Sequence, residues 1–144
     1  MKKIYLLTVF LFSILFSSIV FAETEPNNTP EEANIIAVNG SQTGTLSSSD
    51  NQDWFKFTLT TEGAITFNAV TDGTLQVNNL IIYDQNGTSV IASGTYGFTA
   101  NVTYNNLIPG TYYIKVPFWS AGGSYTLTNT YTPATYPNDA EPND

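Results

Sequence analysis

The chain has 144 residues, with 4 basic and 12 acidic side chains, no histidine and no cysteine. A length of this order suits one domain with its own core. The missing residue types exclude a Ser-His-Asp triad, a cysteine nucleophile, an ordinary zinc site and any disulfide. The net charge of −8 argues against nucleic acid as a partner, because phosphates are bound by lysine and arginine. Carboxylate chemistry remains, either a hard cation such as calcium or an acid–base pair.

The first 22 residues have the features of a secretory signal peptide. Lys2 and Lys3 precede an apolar run over residues 4–16, and residues 20–22 supply a cleavage site. A membrane anchor is the alternative, but the run is short for a span of ~20 residues. We therefore predict that residues 1–22 are removed and that the protein is secreted, extracellular and free of the membrane. Removal leaves two lysines against 12 acids, a net charge of −10.

The remaining chain predicts an all-β domain. Alternating runs rich in Thr, Tyr, Val, Ile and Phe are separated by turn residues roughly every 8–12 residues, as in a sandwich or barrel. One helical turn is expected at Glu31–Ala33. A long strand is expected over residues 75–83, followed by a hairpin at Asp84–Gly87, since Asn-Gly favours a tight turn. About eight strands result, the others including residues 54–59, 64–70, 89–92, 98–107, 111–118 and 123–131.

Strand alternation predicts which side chains face the core. Phe55, Phe57 and Leu59 share the inner face, and Trp54 lies on the other. Tyr112 follows a Pro-Gly turn and is interpreted as a tyrosine corner, in which the phenol bonds to the preceding backbone. Further along the same strand we expect alternate residues inside (Ile114, Val116) and outside (Tyr113, Lys115).

Acidic residues cluster at the start of the predicted domain. Residues 23–28 read Glu-Thr-Glu-Pro-Asn-Asn, and proline favours an extended chain in which both glutamates point to one side. Asp50 and Asp53 form a second pair, and Asp53 has the strand parity of Phe55, an inward position that is costly for an uncompensated carboxylate. The alternative is a solvated acidic N-terminus with a turn aspartate. Calcium binds roughly 6–8 oxygen atoms, and six side chains could supply them: Glu23, Glu25, Asn27, Asn28, Asp50 and Asp53.

The end of the chain restates this motif. Residues 139–144 read Asp-Ala-Glu-Pro-Asn-Asp, offset by 116 residues from the first copy. A fixed period is typical of an array of units. We therefore predict one module over residues 23–132, and a linker with the start of a second, truncated repeat over residues 133–144. The module would be a monomeric unit of a longer chain.

The order of these motifs resembles bacterial pre-peptidase C-terminal domains, which are related to the collagen-binding domains of clostridial collagenases. The resemblance lies in residues 23–28, in Gly44-Thr45-Leu46 leading to Asp50-x-x-Asp53-Trp54-Phe55, and in the motifs at residues 110–116 and 123–127. It implies a secreted, non-catalytic, jelly-roll-like antiparallel β-sandwich, usually attached to a peptidase or other hydrolase. In the collagen-binding relatives calcium ties the N-terminal segment to the sandwich. Carried over by position, the implied ligands are Glu23, Glu25, Asn27, Asn28, Thr45, Asp50 and Asp53.

Three functions are compatible with these observations. The first is a calcium-stabilised accessory module that aids stability, secretion or substrate binding. The second is a module that binds collagen or a polysaccharide, or a repeat of a surface array, through exposed aromatic residues; the candidates are Tyr104, Tyr113, Phe118 and Trp119. The third is an enzyme with a glycosidase-like carboxylate pair. The acids cluster with Asn and Thr, as at a cation site, so we assign no catalytic residue.

Overall fold

A computed structural model describes residues 20–135 of the chain. Most of the predicted signal peptide and the second motif at residues 139–144 lie outside the described residues. Pro30–Glu32 forms one 3-10 turn, close to the predicted helical turn, and the described part contains no helix that could cross a membrane. Its eleven strands are β1 Phe21–Ala22, β2 Asn34–Ile35, β3 Ser41–Leu46, β4 Gln52–Leu59, β5 Gly63–Thr71, β6 Gln76–Val77, β7 Ile81–Tyr83, β8 Val90–Ser93, β9 Thr99–Leu107, β10 Gly110–Ser120 and β11 Gly123–Pro133.

The strands form two sheets with jelly-roll connectivity. Sheet A has the order β1-β3-β11-β5-β9, and sheet B has the order β2-β4-β10-β7-β8. The eight longer strands pair antiparallel. β3 lies beside β11 and β4 beside β10, so strands near the start of the domain pair with strands near its end. β1 and β2 add short parallel pairings at β3 and β4. The predicted all-β sandwich of about eight strands is confirmed.

The continuous strand predicted over residues 75–83 is wrong. β6 pairs with the end of β10 and β7 with its middle, and residues 78–80 between them belong to no strand. At this break the backbone N–H of Asn79 donates to Oδ1 of Asn78 at 2.8 Å. This local hydrogen bond competes with the hydrogen bonds between strands. The buried positions accordingly shift in parity, from Leu75 and Val77 to Leu80 and Ile82.

The core lies between the two sheets. The inward residues predicted on β4 and β10 are buried, and Phe57 packs against Phe67 and Tyr112 at ring-centroid distances of 5.0 and 5.9 Å. The Tyr112 hydroxyl donates to the carbonyl of Ile108 at 3.1 Å and accepts from Gln85 Nε2 at 3.2 Å. Tyr112 therefore forms the predicted tyrosine corner.

A second, smaller cluster covers the outer face of sheet B. Trp54 has the predicted outward parity, but it is buried because Ala33 and Tyr83 pack over it. The Nζ atom of Lys115 lies 5.4 Å from the ring centroids of Trp54 and of Tyr83, within cation–π range. The chain after the 3-10 turn is thus fixed on this sheet by apolar contact.

Candidate cation site

Residues 23–28, the acidic segment, cross from one sheet to the other at one edge of the sandwich. On the sheet A side, the backbone N–H of Glu23 donates to the Thr43 carbonyl at 2.9 Å. On the sheet B side, the N–H of Trp54 donates to the Asn27 carbonyl at 2.8 Å. Two bonds between Thr24 and Asn34 brace the segment from outside. Residues 23–28 were predicted to be extended, but the segment bends at Glu25. Its side chains lie over the ends of β3 and β4.

Three of the predicted ligands meet at this point. Glu23, Glu25 and Asp53 each bring one carboxylate oxygen within 4.8 Å of the others. Asp53 is fully buried, Glu23 is half-buried and Glu25 is exposed. No lysine takes part in the group, so three negative charges would face one another without a compensating side chain.

Tyr125, on β11, completes the inner side of the site. Its hydroxyl donates to Asp53 Oδ2 at 2.6 Å and lies 3.2 Å from Glu23 Oε2. A phenol carries one hydrogen, so it satisfies one of these carboxylates at a time. Gly44 makes room for the arrangement, because a Cβ there would collide with the Tyr125 ring and with the Glu23 carboxylate.

Two buried oxygen atoms at the site have no hydrogen-bond partner within the described residues. They are Oδ1 of Asp53 and Oδ1 of Asn27, both on residues that are 0% exposed. The Asn27 side chain points into the cluster, since its Nδ2 donates to Glu23 Oε2 at 3.2 Å. Burying an unpaired oxygen costs about 1–3 kcal/mol. Oxygen atoms of this kind, beside carboxylates, are the donors that a hard cation takes.

Burial also changes the protonation of the site. It raises the pKa of Asp53 to about 9, and the charge on Glu23 adds to the rise, whereas the bond from Tyr125 opposes it. Burial followed by the charges of Asp50 and Glu23 raises the pKa of Glu25. Burial also raises the pKa of Tyr125, with Asp53 the next contribution. Without a cation, Asp53 therefore keeps its proton at neutral pH.

The remaining predicted ligands lie at the rim. With its amide oriented to donate, Asn28 bonds Asp50 Oδ1 at 3.1 Å and the Gln52 carbonyl at 2.7 Å. Thr45 reaches the cluster through its backbone, whose N–H donates to Glu23 Oε1 at 2.7 Å. Asp50 lies close enough to Glu25 to affect its pKa. The structure thus brings together Glu23, Glu25, Asn27 and Asp53 as an inner group, with Asn28, Thr45 and Asp50 around it.

The comparisons with known proteins agree with the fold and indicate the class of domain to which it is similar. No family model matches the sequence, and no curated protein matches it. Among solved structures, the chain is similar to the pre-peptidase C-terminal domain of a collagenase from Bacillus anthracis, at 26% sequence identity and a TM-score of 0.59. The match covers 72% of this chain and 100% of that one. The fold is thus that of a jelly-roll β-sandwich module. The resemblance to pre-peptidase C-terminal domains, predicted from the motifs, is confirmed.

Proposed function

We propose that this protein is a non-catalytic accessory module of a secreted protein, stabilised by calcium at the acidic edge of its sandwich. The observation that carries the proposal is the pair of buried, unpaired oxygen atoms on Asp53 and Asn27 beside the carboxylates of Glu23 and Glu25. All of these donors are oxygen atoms of carboxylates or an amide, which suit calcium better than a soft metal. The likeness to a collagenase domain supports the accessory role.

Residues of the inner group would hold the ion, and those at the rim would orient them. The ion would supply positive charge where Asp53 otherwise needs a proton. Glu23 and Glu25 belong to the crossing segment, whereas Asp53 belongs to β4, so shared coordination would fasten the segment to the sandwich. Outside the cell, where calcium is abundant, this attachment would resist unfolding and proteolysis of the segment.

The geometry of Asp53 favours this role over catalysis. A carboxyl whose pKa is raised to about 9 resembles a general acid. A general acid must reach its substrate, however, and Asp53 is 0% exposed and bonded to the buried Tyr125. The secreted location rests on the sequence of residues 1–22, and attachment to a hydrolase rests on the resemblance.

Thermal unfolding with and without calcium tests the proposal. Calcium should raise the melting temperature over that in EDTA, by the equivalent of ~2.7 kcal/mol when its free concentration is 100 times Kd. Asp53→Asn keeps the shape of the side chain but loses its charge, so it should abolish the rise. Glu31→Gln, an exposed acid outside the cluster, should retain it. Identical melting curves of the native sequence in calcium and in EDTA would refute the calcium site.

A further inference from the structure

Two aromatic rings are exposed together on the surface. Tyr96 and Trp119 lie 23 positions apart in sequence, yet their ring centroids are 4.7 Å apart with an interplanar angle of 45°. They remain 58% and 50% exposed. Single exposed apolar residues are common, but paired rings held open to solvent are typical of a binding surface.

Trp119 points outward by the ordinary alternation of β10. Val116 and Phe118 face the core, so Trp119 falls on the outer face of the strand and is half exposed. The pairing with β6 is irregular at this point, since Phe118 pairs with Val77 and Ser120 with Gln76. Bulges of this kind are frequent beside functional sites.

Hydrogen bonds fix the loop that carries Tyr96. On one side, Gly97 exchanges backbone bonds of 2.9 and 3.1 Å with Val77. On the other, Thr95 donates to the Asn101 carbonyl at 2.8 Å, and its hydroxyl accepts from the Asn101 amide at 2.8 Å. Gly97 has φ +118, a conformation that favours glycine. The backbone on both sides of Tyr96 is therefore fixed, and its ring packs on that of Trp119, which lowers the entropic cost of ordering the pair on binding.

The surroundings of the rings are polar and poor in charge. The segments around the patch, residues 74–83, 93–101 and 117–124, contain no Asp, Glu, Lys or Arg. The carboxylate of Asp72 is bonded to them, but it is occupied by the backbone N–H groups of Thr74, Leu75 and Ser124. Gln76 and Ser120 face each other across the β6–β10 pairing and bring an amide and a hydroxyl. A neutral polar ligand therefore suits this surface better than an anion, which Asp72 would repel, or a large apolar partner.

We propose that Tyr96 and Trp119 form a binding site for a neutral polysaccharide built of equatorially linked pyranose units. The C–H face of such a sugar stacks on aromatic rings, and its hydroxyls bond to amide and hydroxyl groups. At a centroid distance of 4.7 Å the two rings contact each other, so a sugar unit would stack on their solvent-facing side and not between them. This site rests on the proposed accessory role, for which it names a ligand class, but it does not involve the cation.

Binding to cellulose, chitin and xylan tests the site, with gelatin as the polypeptide alternative. The experiment uses the whole protein, in calcium and in EDTA, so that a failure of the calcium proposal is seen separately. We expect binding to at least one of the three glycans in calcium, and at least a tenfold loss of affinity in Tyr96→Ala and in Trp119→Ala. Ile35→Ala, which removes an apolar side chain that is 72% exposed elsewhere, should bind normally.

Tryptophan fluorescence gives a second readout that needs no variant. Of the two tryptophans, Trp54 is buried and Trp119 is half exposed, so acrylamide quenching reports mainly on Trp119. Soluble oligosaccharides of the bound glycan should protect it. If Trp119→Ala misfolds, Trp119→Tyr keeps a ring and should retain part of the binding. Binding to none of the three glycans, binding that both alanine variants retain, or binding of gelatin alone through these rings would overturn the proposal.

Discussion

The hydroxyl of Tyr125 donates a 2.6 Å hydrogen bond to Oδ2 of Asp53, and this bond joins the two sheets. Tyr125 lies on β11 in sheet A, whereas Asp53 lies on β4 in sheet B. Both side chains are buried, at 2% and 0% exposure, so water cannot replace the phenol if it is lost. The same residue thus serves the acidic site and the attachment of one sheet to the other.

Replacing Tyr125 with Phe should destabilise the ion-free protein. The change leaves the packing of the ring and removes a donor to a buried carboxyl, at a cost of about 1–3 kcal/mol. Urea unfolding in EDTA measures it. Tyr104→Phe is the matched control, because Tyr104 is half-buried on the core and its hydroxyl has no partner among residues 20–135. Equal losses in the two variants would contradict the assigned role of the Tyr125 hydroxyl.

Replacing Gly44 with Ala should damage the fold and the acidic site together. The added methyl group would collide with the Tyr125 ring and the Glu23 carboxylate, both of which must then move. Overpacking of this kind costs about 1–3 kcal/mol. Melting temperatures in EDTA and in calcium measure both effects, and we expect a lower value in EDTA and a smaller rise with calcium. Gly122→Ala is the control: its added Cβ would lie 3.2 Å from the Leu46 carbonyl and not against Tyr125 or Glu23, so it should cost less stability and leave the rise with calcium unchanged. A normal calcium response in Gly44→Ala would show that the crowding does not reach the site.

Asp72 should contribute an acid-sensitive part of the stability. Its carboxylate accepts backbone N–H bonds from Ser124, Thr74 and Leu75, and these bonds lower its pKa from 3.8 to about 2. Because the folded pKa lies below the unfolded one, the contribution is present above about pH 4 and is lost as pH falls through about 2.

The variant Asp72→Asn tests this dependence on pH. It should be less stable than the native sequence at neutral pH, and the difference should shrink as the pH falls below about 4. Urea midpoints across this range give the measurement, with the exposed acid Glu31 changed to Gln as the control. A difference between Asp72→Asn and the native sequence that stays constant down to pH 2 would contradict the prediction.

The tyrosine corner should be worth about 1 kcal/mol, the typical net value of one hydrogen bond. Tyr112→Phe removes the bond to the Ile108 carbonyl and the acceptor used by Gln85. Chemical denaturation measures the loss of unfolding free energy. Tyr113→Phe, on the outer face of the same strand, is the control and should have little effect. A neutral Tyr112→Phe variant would mean that the ring alone stabilises this connection.

Most of the fold could be predicted because alternation along a strand is a local property. Phe55, Phe57 and Leu59 on β4 are buried as their parity requires. The two-residue strands β1 and β2 were not predicted, since two residues contain no pattern and their pairing depends on distant strands. The six-residue β3 was also not among the predicted strands, whereas β6 falls within the single strand predicted over residues 75–83. The break after Val77 is visible in the sequence, because the alternation of apolar residues shifts by one position between Val77 and Leu80.

The acidic site could be predicted in part. The alternation of β4 predicted that Asp53 points inward, and the motif at residues 23–28 predicted that Glu23 and Glu25 point to one side. Tyr125 was missed as a partner because it lies 72 positions away, and nothing in its own strand indicates which carboxylate it meets. Among the four aromatic candidates for exposure, Trp119 is exposed, and Tyr104, Tyr113 and Phe118 are half-buried. Tyr96 was missed because its position depends on the bonds of a loop.

The N-terminal segment also shields a strand edge. β2 lies beside β4 and covers that edge of sheet B. β1 lies beside β3 in the same way, but it consists of residues 21–22, so removal of the predicted signal peptide would take it away and leave β3 at the edge of sheet A. Without β2, the eight-residue β4 would also present free backbone groups to other chains. Exposed edges of this kind pair between molecules and promote aggregation or strand exchange. Whatever holds the acidic segment in place therefore also helps to keep β2 over the edge of β4.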